Sequence, residues 1–403
     1  MDILVIGAGP SGLISSYICS KNGHNVTLLE KNEKVGKKLY ITGKGRCNVT
    51  NNCDPNTFLN SVVTNSKFMY GSLFSFSPQD TIDLLEQNGC KLKTERGNRV
   101  FPESDKSSDI IKTLKDLATN SGTNIILNQQ VVDCYKNKEK FIVKTNDKTY
   151  ESDCLILCTG GASYKATGSD GFGYKLAKKF GHTITSIRPA LCPIKLNNSW
   201  IKSVEGLSLK NVELSAYFNN KLIKSEFGEM LFTSSGISGP ISLTISSYIN
   251  KYDNVDLYLD FKPALSFEKL ENRIIREIEA NKNLQINTML RSLLPKNLVP
   301  IFLKVCKFDE TKKLNSITVE DRKLITKNLK HFKLSFNSIY DIDYAIVTSG
   351  GVNVKEINPK TMESKLVKNL FFAGEILDVD ALTGGYNIQI ALSTGVSAGK
   401  GVL

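Results

Sequence analysis

The sequence predicts an α/β fold assembled from both ends of the chain and interrupted by a β-rich and then a helical insert. Three observations lead there. A short apolar strand at residues 3–6 runs straight into a glycine-rich turn and a helix. A second apolar strand with a glycine turn, LFFAGEI at 370–376, recurs near the far end before a last helix. Between residues 190 and 335 the pattern changes, first to strand alternation and then to helical spacing.

Taken in order, the first strand is Ile3–Val5–Ile6, followed by GAGPSG and a helix through Leu13 to Asn22 that Gly23 stops. The next strand, Asn25–Leu29, ends in Glu30, and a long loop follows, KNEKVGKKLYITGKGRCNVTNN. Helix and strand patterns then alternate as far as LILCTGG at 155–161, a buried strand ending in a glycine turn. Beyond Pro189, alternations such as VELSAYF and VDLYLDF predict antiparallel strands over 190–260. Residues 265–335 carry helical spacing, as in LENRIIREIEANKNLQ, with Ser266 and Thr318 as N-caps. YAIVTSGGV at 344–352 returns to strand, and the final helix begins near Tyr386. The expected domains are 1–189 with 345–403, a β-rich insert at 190–262, and a basic helical insert at 263–344.

A chain of 403 residues is long for one core. With 41% hydrophobic and 23% charged residues it has an ordinary globular composition, and no run of eighteen apolar residues marks a membrane span. The opening MDILVIGAGPSGLISSYICS lacks a basic start and is broken by glycines and Pro10, which argues against a secretory signal. The nine cysteines are odd in number, scattered and without a CxxC pair, so neither a zinc site nor a dithiol motif is signalled. Cys154 and Cys158 lie in an apolar run and read as small buried hydrophobes. Reduced thiols and a cytoplasmic location are expected. Of the net charge of +12, two thirds lies between Lys262 and Lys333, where sixteen Lys and Arg face eight Asp and Glu. That tract is either a solvated helical surface or a surface for a polyanion such as RNA.

Gly7, Gly9 and Gly12 form G-x-G-x-x-G, with Pro10 and Ser11 between them. The first glycine permits a tight turn, the second lets the backbone approach a pyrophosphate, and the third lets helix pack on strand. Glu30, at the end of the second strand, is placed to hold the ribose hydroxyls of an adenosine and to repel a 2′-phosphate. The chain also ends on a glycine-rich turn into a helix, with Gly384, Gly385, Tyr386 and Asn387 supplying backbone donors. A helix N-terminus there can stabilise negative charge on a reduced isoalloxazine, so the two ends together favour FAD over NAD.

These segments carry a resemblance. VIGAGPSG at 5–12, GKKLYITGKGRCNVTN at 36–51, GNRVFPESDKSSDI at 97–110, CTGGASYKATGSDGFGYKLAKKFGHTI at 158–184, RPALCPI at 188–194, GEMLFTSSGISGP at 228–240 and the block from Ser349 to Gly395 resemble the HI0933-like flavoproteins over nearly the whole chain. Lys44 stands where that family commonly has glycine, and Lys165 where it commonly has proline. The resemblance implies a glutathione-reductase-like Rossmann FAD domain with an inserted β-barrel-like domain and a small helical domain. It places Gly45, Arg46, Cys47 and Asn48 at the flavin, Gly374 and Glu375 at the ribityl-phosphate, and Val131 against the adenine through backbone atoms. Lys31, Lys38, Thr159, Gly160 and Asp378 complete the candidate FAD-binding set.

Flavins exchange hydride through N5 while the protein supplies position and electrostatics. No Ser-His-Asp or paired-carboxylate pattern stands out, and His24, His182 and His331 read as loop or surface residues. Cys47, whose thiol pKa the neighbouring Arg46 could lower, is the candidate catalytic residue, set against a reading as a small residue packed beside the cofactor. GSDGFG at 168–173 has the wrong glycine order for a second dinucleotide fingerprint and reads as a loop entering a helix. A nicotinamide donor, NAD(P)H, is therefore expected to bind transiently at the flavin face. The family resemblance implies reduction of a carbon–carbon double bond, either of a uridine in 23S ribosomal RNA or of a steroid-like bile-acid enone. The basic tract favours the RNA substrate. The alternatives are a small-molecule oxidase or ene-reductase, and a non-catalytic FAD-holding RNA-binding or redox-sensing protein.

Overall fold

The computed structural model describes residues 1–402 as two units, Met1–Ala190 with Asp341–Leu403, and Leu191–Tyr340. In the first unit the elements used below are β1 (Asp2–Ile6), α1 (Pro10–Lys21), β2 (Asn25–Leu29), β3 (Leu92–Glu95), β4 (Arg99–Pro102), β5 (Asn124–Ile126), β6 (Cys154–Leu157), β7 (Leu370–Phe372) and α2 (Tyr386–Gly401). Five of the strands form a parallel sheet in the order β7-β6-β1-β2-β5. All four residues of β6 are buried, as a parallel strand covered on both faces requires. Ile3 aligns with Cys154 and with Val26, and Leu155 with Leu370, so the turns that follow β1, β6 and β7 emerge at one edge of the sheet.

The first helix begins at Pro10, three residues before the position expected from its apolar spacing, because proline suits the first helical position and Gly9 is the N-cap. The segment 344–352 contributes only Val347–Ser349, which pairs with Arg188–Ala190 and stays out of the main sheet. At the far end, α2 packs along α1. A Cβ on Gly395 would stand 2.4 Å from Ile14 and 2.6 Å from the Ser11 carbonyl, so glycine is what permits the two helices to close. The last helix thus completes the unit that the first strand begins.

The second unit is a closed six-stranded barrel: Ile194–Leu196, Gly236–Ser238, Lys221–Thr233, Ser208–Phe218, Asp256–Asp260 and Phe332–Ile339, the last pairing back to the first. The two alternating segments singled out in the sequence pair with each other, Leu214 opposite Leu259. Ser266 caps the helix Phe267–Ala280, and Thr318 forms a capping box with Asp321 at the start of Val319–Lys330. The apolar faces of these helices and of Val299–Cys306 join the barrel interior in one cluster. Phe332 is 1% exposed and stacks near Phe302, Phe261 and Trp200. Lys330 is spent structurally, bound to the carbonyls of Lys262 and Leu265 and paired with Asp260.

All nine cysteines are free thiols, and all but Cys53 are buried. His331 is exposed and His24 partly so, while His182, in a loop as expected, is structural and buried. Its side chain is buried, with Nδ1 3.1 Å from Glu356 and Nε2 2.8 Å from the Ser364 hydroxyl. Glu356 and Ser364 lie more than 170 residues away, so no local pattern could show this. The set resembles a hydrolase triad in kind only, since serine and imidazole are both buried and Ser364 Oγ also accepts from the amides of Leu366 and Val367.

Phe332→Ala should cost about 3–5 kcal/mol, by the usual cost of emptying a packed aromatic site; urea unfolding measures it, and a loss under about 1 kcal/mol would contradict a shared barrel–helix core. Burial lowers the His182 pKa, so the native state prefers the neutral ring. Its contribution to stability is full above the ordinary imidazole value of about 6.5 and is lost as pH falls from there through the lower folded value. His182→Asn should flatten that limb of the stability–pH profile, and an unchanged limb would remove His182 as its source.

Candidate active site

The turn after β1 uses its three glycines for three reasons. Gly7 has φ +101°, and a Cβ on it would stand 2.5 Å from the carbonyl oxygen of Cys158 in the turn after β6. A Cβ on Gly12 would stand 1.8 Å from the Gly7 carbonyl oxygen. Gly9 differs: its φ of −78° suits any residue, and nothing lies within 4 Å of where its Cβ would be. The protein's own packing does not demand glycine there. The clear space at the N-terminus of α1 fits a pyrophosphate.

Glu30, buried at the end of β2, is oriented beside that turn. Its Oε2 accepts from the Ala8 amide at 2.8 Å, and its Oε1 from the amide and side chain of Asn32 at 2.9 and 2.7 Å. Carboxylate lone pairs remain for ribose hydroxyls. The Gln129 amide donates to the Glu30 carbonyl, which brings buried Val131 close by in the chain. Lys31 pairs with Asp170 at 2.7 Å, and GSDGFG is a loop entering the helix Phe172–Lys179, as expected. Thr159, in the turn after β6 beside left-handed Gly160, keeps a buried hydroxyl with no hydrogen-bond partner among the described residues.

After β7, the Gly374 amide donates to the Thr394 hydroxyl of α2 at 2.9 Å. Glu375 meets Lys38 at 2.6 Å and accepts from the Thr348 amide and the Ser163 hydroxyl. Burial alone would raise its pKa, but Lys38 and these donors outweigh it and hold the carboxyl below the usual range. Lys38 and Glu375 are thus brought together and engage each other. The Asp378 carbonyl accepts from Asn65 at 2.6 Å, and burial raises its carboxyl pKa.

The loop 42–48 and the start of α2 face each other across a cavity of about 450 Å³, within the range of small-molecule sites. Its wall includes Lys44, Asn48, Asn51, Arg99, Phe101 and Tyr386. Asn51 Nδ2 donates to the carbonyls of Gly97 and Gly384, at 3.0 and 3.1 Å, tying the β3–β4 turn to the turn that opens α2. Gly385 caps α2, so the first amides of a 16-residue helix lack intrahelical partners. The Asn387 side chain clamps Ala381, accepting from its amide and donating to its carbonyl. Asn48 Oδ1 is buried without a hydrogen-bond partner among the described residues. A clear pyrophosphate cradle, an oriented ribose carboxylate and an open helix N-terminus across a cavity together fit FAD.

Arg46 does not activate Cys47. Its guanidinium bonds Glu95 and Asp105 and lies 4.2 Å over the Phe101 ring, while burial pushes the Cys47 thiol up to about 12. Cys47 therefore stays protonated, and the expectation of a lowered thiol pKa is overturned by arginine's choice of carboxylate partners. The sequence reading assigned no role to Asn51, Arg99, Phe101 or Asp380. All four belong to segments quoted for their family pattern. Asp380 is fully buried, with Oδ1 accepting from Ser349, Oδ2 unpartnered among the described residues, and its pKa pushed up by burial to about 6.

A family model described as the HI0933-like protein Rossmann domain matches residues 1–401. The ribosomal RNA dihydrouridine synthase of Escherichia coli strain K12 is 30% identical over 394 residues, spanning 98% of this chain and 96% of that protein. The protein of the same name from Haemophilus influenzae is 31% identical over 398 residues, spanning 97% and 96%. The 3-dehydro-bile acid delta(4,6)-reductase of Clostridium scindens is 27% identical over 403 residues, spanning 98% and 97%.

Gly9 and Gly12 should separate ligand from fold. Gly9→Val should unfold at a urea midpoint close to the parent's yet purify with little flavin. Gly12→Ala should lower the midpoint itself, since its Cβ would have to displace backbone. Full flavin content in Gly9→Val would show that the clear space is not where the pyrophosphate lies.

Proposed function

The chain belongs to the HI0933-like family and is an FAD-dependent oxidoreductase, and from that premise we propose that it reduces the C5=C6 bond of a uridine in 23S ribosomal RNA to dihydrouridine with NAD(P)H as donor. The balance is one hydride from the nicotinamide to C6, the carbon β to the C4 carbonyl, and one proton to C5. Bound FAD supplies hydride exchange through N5.

Gly7–Gly12 and Glu30 would hold the adenosine diphosphate end, and the N-terminal amides of α2 would favour negative charge at the ring end. Asn48 offers an unsatisfied acceptor on the wall of the cavity where a pyrimidine would be held. Glu95 and Asp105 are held below the usual carboxylate range, first by Arg46 and by Lys93 respectively, so neither serves as a proton donor near neutrality. Among the described residues no second G-x-G-x-x-G strand–turn–helix unit is present for a nicotinamide. Donor and substrate would then take turns at one cavity, and steady-state kinetics would be ping-pong.

The similarities alone divide between an RNA and a steroid substrate, since relatives of both kinds match over nearly the full chain. The observation that tips the reading toward RNA is the surface of the basic tract. Lys269, Arg276, Lys282, Arg291, Lys296, Lys304, Lys307, Lys313, Lys323 and Lys327 are exposed and make no ion pair among the described residues. A steroid has no use for such a surplus of exposed cations over carboxylates, whereas phosphate neutralisation dominates RNA affinity. The same reading places the protein in the cytoplasm, where nine free thiols stay reduced. No described helix is long and apolar enough to cross a membrane.

Deleting the gene should remove one dihydrouridine from the 23S ribosomal RNA map, and purified holoenzyme with NADPH should restore it on the unmodified RNA. An unchanged map would end the RNA reading and move the substrate to a small enone, in keeping with the bile-acid reductase relative.

A further inference from the structure

The mouth of the cavity carries a conformation that needs an explanation. Gly43, Lys44 and Gly45 are consecutive left-handed residues, with φ of 56°, 58° and 85°. Glycine adopts that region freely, whereas a lysine there is strained by its Cβ. Neither a side-chain hydrogen bond nor an ion pair offsets the strain, for the exposed Lys44 ammonium makes neither among the described residues. Lys138 and Lys307 share this conformation, but Lys44 alone of the three lines the cavity, so its position and not its strain is what calls for a partner.

Its surroundings say what it would hold. No carboxylate lines the cavity, whose cations are Lys44, Arg46 and Arg99. Arg46 is neutralised by Glu95 and Asp105. Arg99 is held more loosely: its side chain is 46% exposed, its Nε donates to the Arg96 carbonyl, it lies 5.8 Å over the Phe101 ring, and its one carboxylate among the described residues is Glu95 at 4.0 Å, which Arg46 engages more closely. An unpaired lysine and a loosely paired arginine therefore stand on a wall that also carries Phe101 and Asn48, whose Oδ1 has no hydrogen-bond partner among the described residues. That is the chemistry of a planar polar ring carried on a phosphate: the ring enters and the anion stays at the mouth.

We propose that Lys44 and Arg99 form a phosphate clamp that fixes the backbone of the substrate nucleotide while its base occupies the cavity. The clamp rests on the reading of this cavity as the substrate site. It makes phosphate a condition of productive binding, so that a bare nucleoside or an uncharged enone is held far less well.

The test uses the FAD-loaded enzyme and inorganic pyrophosphate as the anion probe, titrated by calorimetry, with Lys44→Gly and Arg99→Gln. Each variant should weaken pyrophosphate about tenfold, the cost of one charge-assisted contact. An RNA oligonucleotide containing the target uridine should weaken similarly, its log K–log salt slope becoming shallower by about 0.7 for each cation removed. Lys44→Gly should retain its FAD and unfold at the parent's temperature or higher, since relief of the left-handed strain offsets the entropy of glycine. Pyrophosphate that binds parent and variants alike, or not at all, overturns the clamp, as does a lower unfolding temperature for Lys44→Gly. If the ribosomal RNA map is unchanged by deletion while pyrophosphate still depends on Lys44 and Arg99, the RNA reading falls and the clamp stands. If the RNA is modified by the enzyme but the variants bind it undiminished, the clamp falls alone.

Discussion

The constraint on which the FAD unit depends is steric: α1 must lie almost in contact with the backbone on two sides. On one side Gly12 rests against the carbonyl of Gly7, and on the other Gly395 rests against the carbonyl of Ser11. That double approach leaves the N-terminus of α1 beside the turns after β1, β6 and β7 and ties the first strand to the last helix. Residues nearly four hundred positions apart are thus in contact, an arrangement whose loop-closure cost is large but grows only slowly with length. Closing the interval 191–340 into a unit with its own apolar cluster shortens the effective loop, so the chain ends meet across a folded insert and not across a random coil.

Buried carboxylates near this edge are treated in three ways, and the differences are informative. Glu30 accepts three hydrogen bonds from Ala8 and Asn32. Glu375 has a lysine and two further donors, enough to keep it ionised despite burial. Asp380 has one hydroxyl donor to Oδ1 and no partner for Oδ2 among the described residues, and its pKa rises to about 6. A group whose native pKa is raised stabilises the fold below its ordinary value of about 3.9 and loses that contribution as pH rises through the raised one. Near neutrality Asp380 therefore opposes folding, and it does so on the segment that leads from Asp378 into the turn opening α2. The fold tolerates an under-satisfied charge at the very loop that closes the cavity, which is where functional demands are expected to override stability.

How much of this was legible in the sequence follows from the range of each interaction. The fingerprint, the Ser266 and Thr318 caps, the Leu214–Leu259 strand pair and the start of α2 are written in residues a few positions apart or in short alternations, and each was readable. Which of the open readings holds for His182, structural or solvated, was not legible because Glu356 and Ser364 arrive from far along the chain. Of the two readings of Cys47, activation by Arg46 fails for a related reason: adjacency to Arg46 in sequence says nothing about which carboxylates the guanidinium will reach, and Glu95 and Asp105 come from the β3–β4 hairpin and the loop beyond it. The wall formed by Asn51, Arg99 and Phe101 exists only once that hairpin is tied to Gly384.

What distinguishes the ligand-facing positions is a mismatch between the residue and what the protein's own packing asks for. Gly7 and Gly12 are glycine because neighbouring backbone leaves no room for anything else, so by themselves they report only on the fold. Gly9 is glycine with ordinary dihedrals and empty space before it, and the demand must come from outside the chain. Lys44 is the converse, a side chain retained where the backbone favours none. Asn48 keeps an acceptor without a donor, and Thr159 a hydroxyl without a partner. Internal consistency is what lets a sequence specify one structure. Departures of this kind occur elsewhere in the chain as well; these four bear on the ligand because they lie together at the turn after β1, the turn after β6 and the walls of one cavity. On the proposed reading, a bound cofactor and its substrate would make those residue choices consistent.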